Sequence, residues 1–351
     1  MKILFISVNG NEDADFGGPK GSIRNYKVLS IFGDVDVYTI RKISNFHSFL
    51  SLMCGMYPPI SHVHKKALRK LHNNNYDLVF FDGSIYGDLI DIFTDNKKVV
   101  FYHNCESDFN RVRFGEKKSV KKSVYQFLIN RNEKIISNKA NYRMVLSERD
   151  ADRIHKLYGV EADCIAPLGI EDKYTGINRN NNKGYCLLLG VVCPPNVEGY
   201  KWFIDNVSPF LKCKTVIAGR GFEQFRSQWS DDIIEVIGYV ENLEEVYANA
   251  ECVAIPLFSG GGMKVKTVEA LMFGKTVFGT DEAFSGFKYE MDGCSYVCNK
   301  AEEFVVGINN YLETEQPLFN EKSREVYKEK YSVDSTLEIF RKMLKELEVI
   351  E

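Results

Sequence analysis

Apolar residues fall into short runs, separated by stretches in which they recur at three- and four-residue steps. In the first half the runs cover 2–8, 35–40, 78–82, 98–103 and 142–147. Runs of this length, with Leu78, Val79, Phe80 and Phe81 uninterrupted, suit strands covered on both faces, as in a parallel sheet. Helical spacing fills the intervals 20–31, 62–73, 117–138 and 148–158. The alternation predicts a parallel sheet with helices on both faces.

The rhythm breaks between 166 and 182. Pro167-Leu168-Gly169 reads as a turn and 178–183 (NRNNNK) is a polar run, which places an inter-domain linker at 171–183. It then restarts, with strands at 185–189, 215–218, 233–238, 252–256 and 276–280 and helices at 197–206, 243–248 and 266–273. The chain therefore reads as two doubly wound α/β units, 1–170 and 184–332. A closing acidic helix from about 333 to 351 repeats Leu337, Phe340, Leu344 and Leu347 on one face, which either unit could receive. The length of 351 residues agrees, since one ordinary α/β core does not grow so large.

A further apolar face comprises Phe46, Phe49, Leu50, Met53, Met56 and Tyr57, followed by Lys65, Lys66, Arg69 and Lys70. It is read either as a core-facing helix or as one lying on a membrane surface. No segment has the ~20 apolar residues of a membrane span, and the N-terminal run is too short for a signal peptide. The expected location is the cytoplasm. Nine cysteines stand singly, with only Cys294 and Cys298 close together, so they give no zinc spacing and read as reduced thiols.

The net charge of −3 hides an asymmetry. Residues 111–143 hold ten Lys/Arg against Glu116 and Glu133, a balance of +8 that leaves −11 for the rest. Arg111, Arg113, Lys117, Lys118, Lys121 and Lys122 open this stretch as a solvated helix face or as a patch for anionic lipid heads or a lipid-linked diphosphate. Nothing marks a nucleic-acid-binding motif.

The sharpest local pattern is Gly260-Gly261-Gly262-Met263-Lys264-Val265-Lys266, between a strand ending at Pro256 and a helix. Glycines let backbone N–H groups approach a ligand, and a helix start carries unpaired donors. With Lys264, Lys266 and the amides of Gly261, Gly262 and Met263, this forms a site for an anion such as a diphosphate. Glu269, about one turn into the helix, is placed to accept from two adjacent ribose hydroxyls. The bland reading is a flexible turn before a solvated helix. Neither GxxxxGK[ST] nor GxGxxG is present. The pairs Asp13/Asp15 and Asp34/Asp36 match the DxD of metal-dependent sugar transfer. The first lies in a polar loop and the second leads into a strand, and the lysines already supply positive charge, so no metal is expected.

Several segments in order, LLLGVVCPPNVEGYKWF (187–203), TVIAGRG (215–221), the run 234–257, the run 260–280 and Gly286-Phe287, resemble the C-terminal half of retaining glycosyltransferases of the GT-B fold, family 4 (glycosyl transferases group 1). Gly17-Gly18, His103-Asn104 with Glu106, 146–150 and 167–170 extend the resemblance over nearly the whole chain. It implies two Rossmann-like domains facing a cleft, with the final helix packed back on the N-terminal domain. That domain takes the acceptor and the second holds the nucleotide sugar. It also implies Gly17 and Gly18 at the donor, and His103 as a positioning residue for the sugar. Two departures stand out. The first of the family's two glutamates is Gly261 here, and its diphosphate-binding Arg and Lys are Val191 and Asn196. Lys264, Lys266 and Arg220 are the candidates to supply that charge instead.

The resemblance implies retaining, metal-independent transfer from a nucleotide-diphosphate sugar, a co-substrate with no resident cofactor, to a glycan or lipid-linked acceptor. Taken with the basic stretch, it points to surface-polysaccharide assembly, with peripheral contact at the inner face of the cell membrane. The alternatives are a nucleotide-sugar 2-epimerase of the same fold and an inactive nucleotide- or glycan-binding scaffold.

Overall fold

The computed structural model describes residues 1–9, 17–72, 74–114, 119–176, 184–260, 263–287, 291–314 and 317–351. It comprises two compact units, Met1–Gly169 with Val333–Glu351, and Ile170–Ser332.

The first unit runs β1 (Lys2–Ser7), α1 (Gly17–Phe32), β2 (Asp34–Thr39), α2 (Asn45–Met53), α3 (His62–His72), β3 (Leu78–Asp82), β4 (Lys97–Tyr102), α4 (Glu106–Phe114), α5 (Val120–Lys139), β5 (Tyr142–Val145), α6 (Glu148–Tyr158) and β6 (Cys164–Ile165). Its strands form one parallel sheet ordered β2-β1-β3-β4-β5-β6. All five residues of β3 are buried, whereas edge strand β2 alternates in exposure, as expected of central and edge positions. On one face Phe80 stacks with Phe5 (5.6 Å), Phe101 (6.3 Å) and Phe340 (5.9 Å). The other face carries a cluster that includes Leu4, Ile6, Val79, Phe81 and Val100.

The second unit runs β7 (Tyr185–Leu189), α7 (Pro194–Asn206), β8 (Lys214–Ala218), α8 (Arg226–Trp229), β9 (Ile234–Gly238), α9 (Leu243–Asn249), β10 (Ala250–Ile255), α10 (Val265–Met272), β11 (Val277–Gly279), β12 (Ser295–Val297), α11 (Ala301–Glu313) and α12 (Glu321–Val326). Its parallel sheet is ordered β12-β11-β10-β7-β8-β9. α13 (Val333–Glu346) returns to the first unit, where it packs on α1 and supplies Phe340.

Part of the span expected as linker is fixed to the second unit. Glu244 accepts from the Thr175 backbone N–H (2.6 Å), its hydroxyl (2.7 Å) and the Gly176 N–H (2.9 Å), and Asp172 pairs with Arg324. Residues 177–183 lie outside the described residues. The expected helix at 117–138 is α5, and it is preceded by α4, a helix the spacing did not predict. The α4 sequence ESDFNRVRF has no clear apolar stripe; its start is made by Glu133, whose buried carboxylate accepts the N–H groups of Glu106 (2.9 Å) and Ser107 (3.0 Å). The same carboxylate takes the hydroxyls of Ser84 (2.7 Å) and Tyr158 (2.5 Å), joining α4, α5 and α6.

Helix α2 does not turn its apolar face inward. Phe46, Phe49 and Met53 are exposed while Ser51 is buried, so the core-facing alternative fails for those three residues.

Candidate functional site

In the second unit the chain leaves β7 for β8 on one side, then returns to β10 on the other. Loops leaving β7 and β10 therefore diverge, the topological switch point where ligands bind in open α/β sheets. β7 is an apolar run, YCLLL, ending at Gly190. α7 begins with prolines in its first turn, whose fixed φ suits a helix start. Gly199 lets α7 pass against the end of β10: a Cβ there would sit 1.9 Å from the Pro256 carbonyl oxygen.

This approach places α7 opposite α10. The Lys266 ammonium, from the first turn of α10, donates to Asn196 Oδ1 (2.6 Å) and the Tyr200 hydroxyl (3.1 Å), both on α7, and lies 5.1 Å from the Tyr200 ring centre. Asn196 is held in turn by donating to the Val191 carbonyl (2.7 Å). Gly190 leaves this cluster its space, since a Cβ there would lie 2.8–3.0 Å from Asn196, Tyr200 and Lys266. Burial pulls the Lys266 pKa down to about 7; Cys193 and then Glu269 oppose that drop and Lys264 adds to it. The Lys266 amine thus stands beside Asn196, one of the two positions at which the sequence resemblance leads us to expect a cation.

Lys264, two residues earlier, has another partner. Its Nζ lies 2.7 Å from Glu282 Oε1, and Lys264 is buried. Glu282 is carried there by the segment after β11, which Thr267 fastens to α10 by donating to the Ala283 carbonyl (3.0 Å). Met263 is buried, and Glu269 is half-buried one turn into α10. Arg220 is exposed, its guanidinium 5.5 Å from the Tyr239 ring centre. Gly261 and Gly262 lie outside the described residues.

In the first unit His103 follows β4 and meets Asp82, the last residue of β3, with Nε2 2.8 Å from Oδ1. Asp82 is fully enclosed and also accepts from Ser7 Oγ (3.0 Å) and Asn25 Nδ2 (2.8 Å). Burial alone would raise its pKa; the facing imidazole and the bonds from Ser22 and Asn25 more than offset this and hold it below the ordinary carboxylate range. Gly21 leaves room for the imidazole, as a Cβ there would be 3.0 Å from its Cε1 and Nδ1. An acid at the carboxyl end of an otherwise apolar strand was the signal for Asp82. The surroundings of Gly17 and Gly18 lie outside the described residues.

The basic stretch is partly structural. Arg131 pairs with Asp88, Lys139 with Asp91 (2.7 Å) and Arg143 with Asp163 (2.8 Å). Arg111 and Lys121 are exposed and Lys122 is half-buried. Lys117, Lys118 and the side chain of Arg113 lie outside the described residues, as do Asp13 and Asp15. Asp36 accepts from the Tyr76 hydroxyl (2.8 Å) and faces Lys2 (3.7 Å). Among the described residues no group of three or more His, Cys, Asp or Glu side chains could hold a metal ion.

The chain thus holds two Rossmann-like units in series, the second with a lysine at its switch point. Residues 183–314 match the family model described as glycosyl transferases group 1, and so form a domain of that type. Over the whole chain, solved structures share the GT-B fold. They include HepE of Anabaena in complex with UDP (13% identity, TM-score 0.67, covering 99% of this chain and 100% of that one). Sucrose-phosphate synthase of Thermosynechococcus elongatus matches at 14% identity and TM-score 0.70, covering 99% of each chain. A glycosyltransferase of Rickettsia africae matches at 14% and 0.70, covering 99% of this chain and 98% of its own. No curated protein matches the sequence.

Proposed function

We propose that the protein transfers a sugar from a nucleoside-diphosphate donor to a glycan or lipid-linked acceptor, with retention of configuration and without a metal. The reading rests on Lys266, whose amine is held by Asn196 and Tyr200 at the switch point beside the glycine-rich segment. The leaving diphosphate gains negative charge as the anomeric bond weakens. Each well-placed donor there lowers the barrier by roughly 3 kcal/mol. Lys266 and Lys264 are the assigned cations, with the amides of Gly261, Gly262 and Met263 as donors and Glu269 on the ribose. In a retaining transfer the acceptor attacks the face that the diphosphate leaves, and the diphosphate takes its proton. His103, oriented by Asp82, then positions the sugar. HepE has been crystallised with UDP and with UDP-glucose, which supports a donor of this class.

Incubation with UDP- and GDP-sugars tests the proposal. Slow donor hydrolysis is the expected result, and Lys266→Ala should weaken nucleoside-diphosphate binding far more than Lys121→Ala. Interconversion of sugars without hydrolysis would assign a 2-epimerase, and binding without turnover a scaffold.

A further inference from the structure

The first unit carries an inside-out surface. Phe46 (67% exposed), Phe49 and Met53 (70%) lie at three- and four-residue steps on the outer side of α2, while Ser51 is buried beneath them. On α5, Val120 (82%), Val124 and Phe127 (65%) repeat the arrangement, with Leu128 and Ile129 buried. The two helices are tied together. The segment after α2 docks on α5 through Tyr57 against Tyr125 (ring centres 6.0 Å apart) and through Arg131, which donates to the Gly55 carbonyl. The other end of α2 meets α3 through His47 and His62 (5.9 Å). Large apolar side chains grouped in this way mark an interaction surface.

Charge identifies the partner. Residues 41–72, which contain α2 and α3, hold six Lys/Arg (Arg41, Lys42, Lys65, Lys66, Arg69, Lys70) and no Asp or Glu, in a chain of net charge −3. All of these but Lys65 are exposed, and Lys121 adds a cation beside Val120. Aromatic and aliphatic residues flanked by basic residues, with no acid in the same segment, fit the boundary between headgroups and acyl chains of an anionic bilayer. A protein partner would be expected to meet some acids among these cations for register, and the segment has none.

We infer that α2 and the first half of α5 dock on an anionic lipid bilayer, with α3 and residues 41–42 supplying charge. The inference deepens the acceptor-side part of the proposed function but does not depend on catalysis. Phe46, Phe49 and Met53 enter the interfacial zone, and each lysine or arginine near the surface contributes about fivefold to binding.

Co-sedimentation of the full chain with phosphatidylcholine vesicles, with and without 30% phosphatidylglycerol, tests it. Binding is expected to the anionic vesicles only and to fall as salt rises. Phe46→Ser with Phe49→Ser should reduce it at least tenfold. Lys66→Glu with Lys70→Glu should cut it about 25-fold or more. Phe210→Ser, an exposed residue of the second unit, should change nothing. Should the serine variant misfold, Phe49→Trp gives a gentler readout, a blue shift of its emission on anionic vesicles. Binding that survives both double variants, or an unshifted Phe49→Trp, overturns the inference. So does a dimer in solution that becomes monomeric in the serine variant, since the face would then join two copies. Donor hydrolysis is read on the same samples without lipid: its absence would sink the transferase reading and leave the vesicle result standing.

Discussion

Lys266 should make nucleoside-diphosphate binding fall as pH rises above neutrality. With its pKa near 7 in the free protein, much of the residue is neutral at pH 8.5, whereas a diphosphate beside it restores the proton. Binding in this range therefore takes up a proton. If the bound lysine returns to its ordinary range, affinity depends on the free protein alone. The ratio between pH 7 and pH 8.5 is then about 15-fold, or roughly 1.6 kcal/mol. The ligand does not supply this slope, because its terminal phosphate, with a second pKa near 6, is mostly ionised by pH 7 and its remaining ionisation would act in the opposite sense. Titration calorimetry with UDP and GDP, in buffers of different ionisation enthalpy, reads both the affinity and the proton. Lys266→Arg, charged throughout, should flatten the profile. A flat profile for the unaltered protein, with no proton uptake, would refute the assignment of Lys266 to the diphosphate. The sign for folding is opposite. Between about pH 7 and the ordinary lysine pKa of 10.5 the folded chain holds fewer protons at this site than the unfolded chain, so the residue's contribution to stability rises with pH.

Gly190→Ala should displace Asn196, Tyr200 and Lys266, whose polar ends lie within 3.0 Å of the new carbon. Diphosphate affinity should drop tenfold or more by calorimetry, with little change in the urea midpoint, because those side chains can yield. Asp82→Asn should keep the shape of the His103 contact and lose its charge, lowering donor hydrolysis while leaving UDP affinity within a factor of two. Glu133→Ala strands two backbone N–H groups and two hydroxyls and should cost about 3 kcal/mol or more in urea unfolding of the first unit.

Legibility in the sequence followed the range of the interactions. Runs such as LVFFD in β3 and YCLLL in β7 announce buried parallel strands, because covering both faces demands continuous apolar residues. The glycine-rich segment before α10 is equally local. α4 escaped because its start is fixed by Glu133, a residue beyond its own end. The partners of Lys266 stand 66 and 70 positions away, and only the fold brings them together. α2 shows the limit of periodicity: its spacing reveals an apolar face but not which way that face turns.

The placement of α13 has a consequence for biosynthesis. This helix lays Phe340 against Phe80 and packs on α1, yet it is translated after every residue of the second unit. While the ribosome is still adding those residues, Phe80 and the neighbouring part of that face, which α1 covers only in part, lack the cover of α13. The second unit holds a continuous stretch and can close earlier, so the half begun first is completed last.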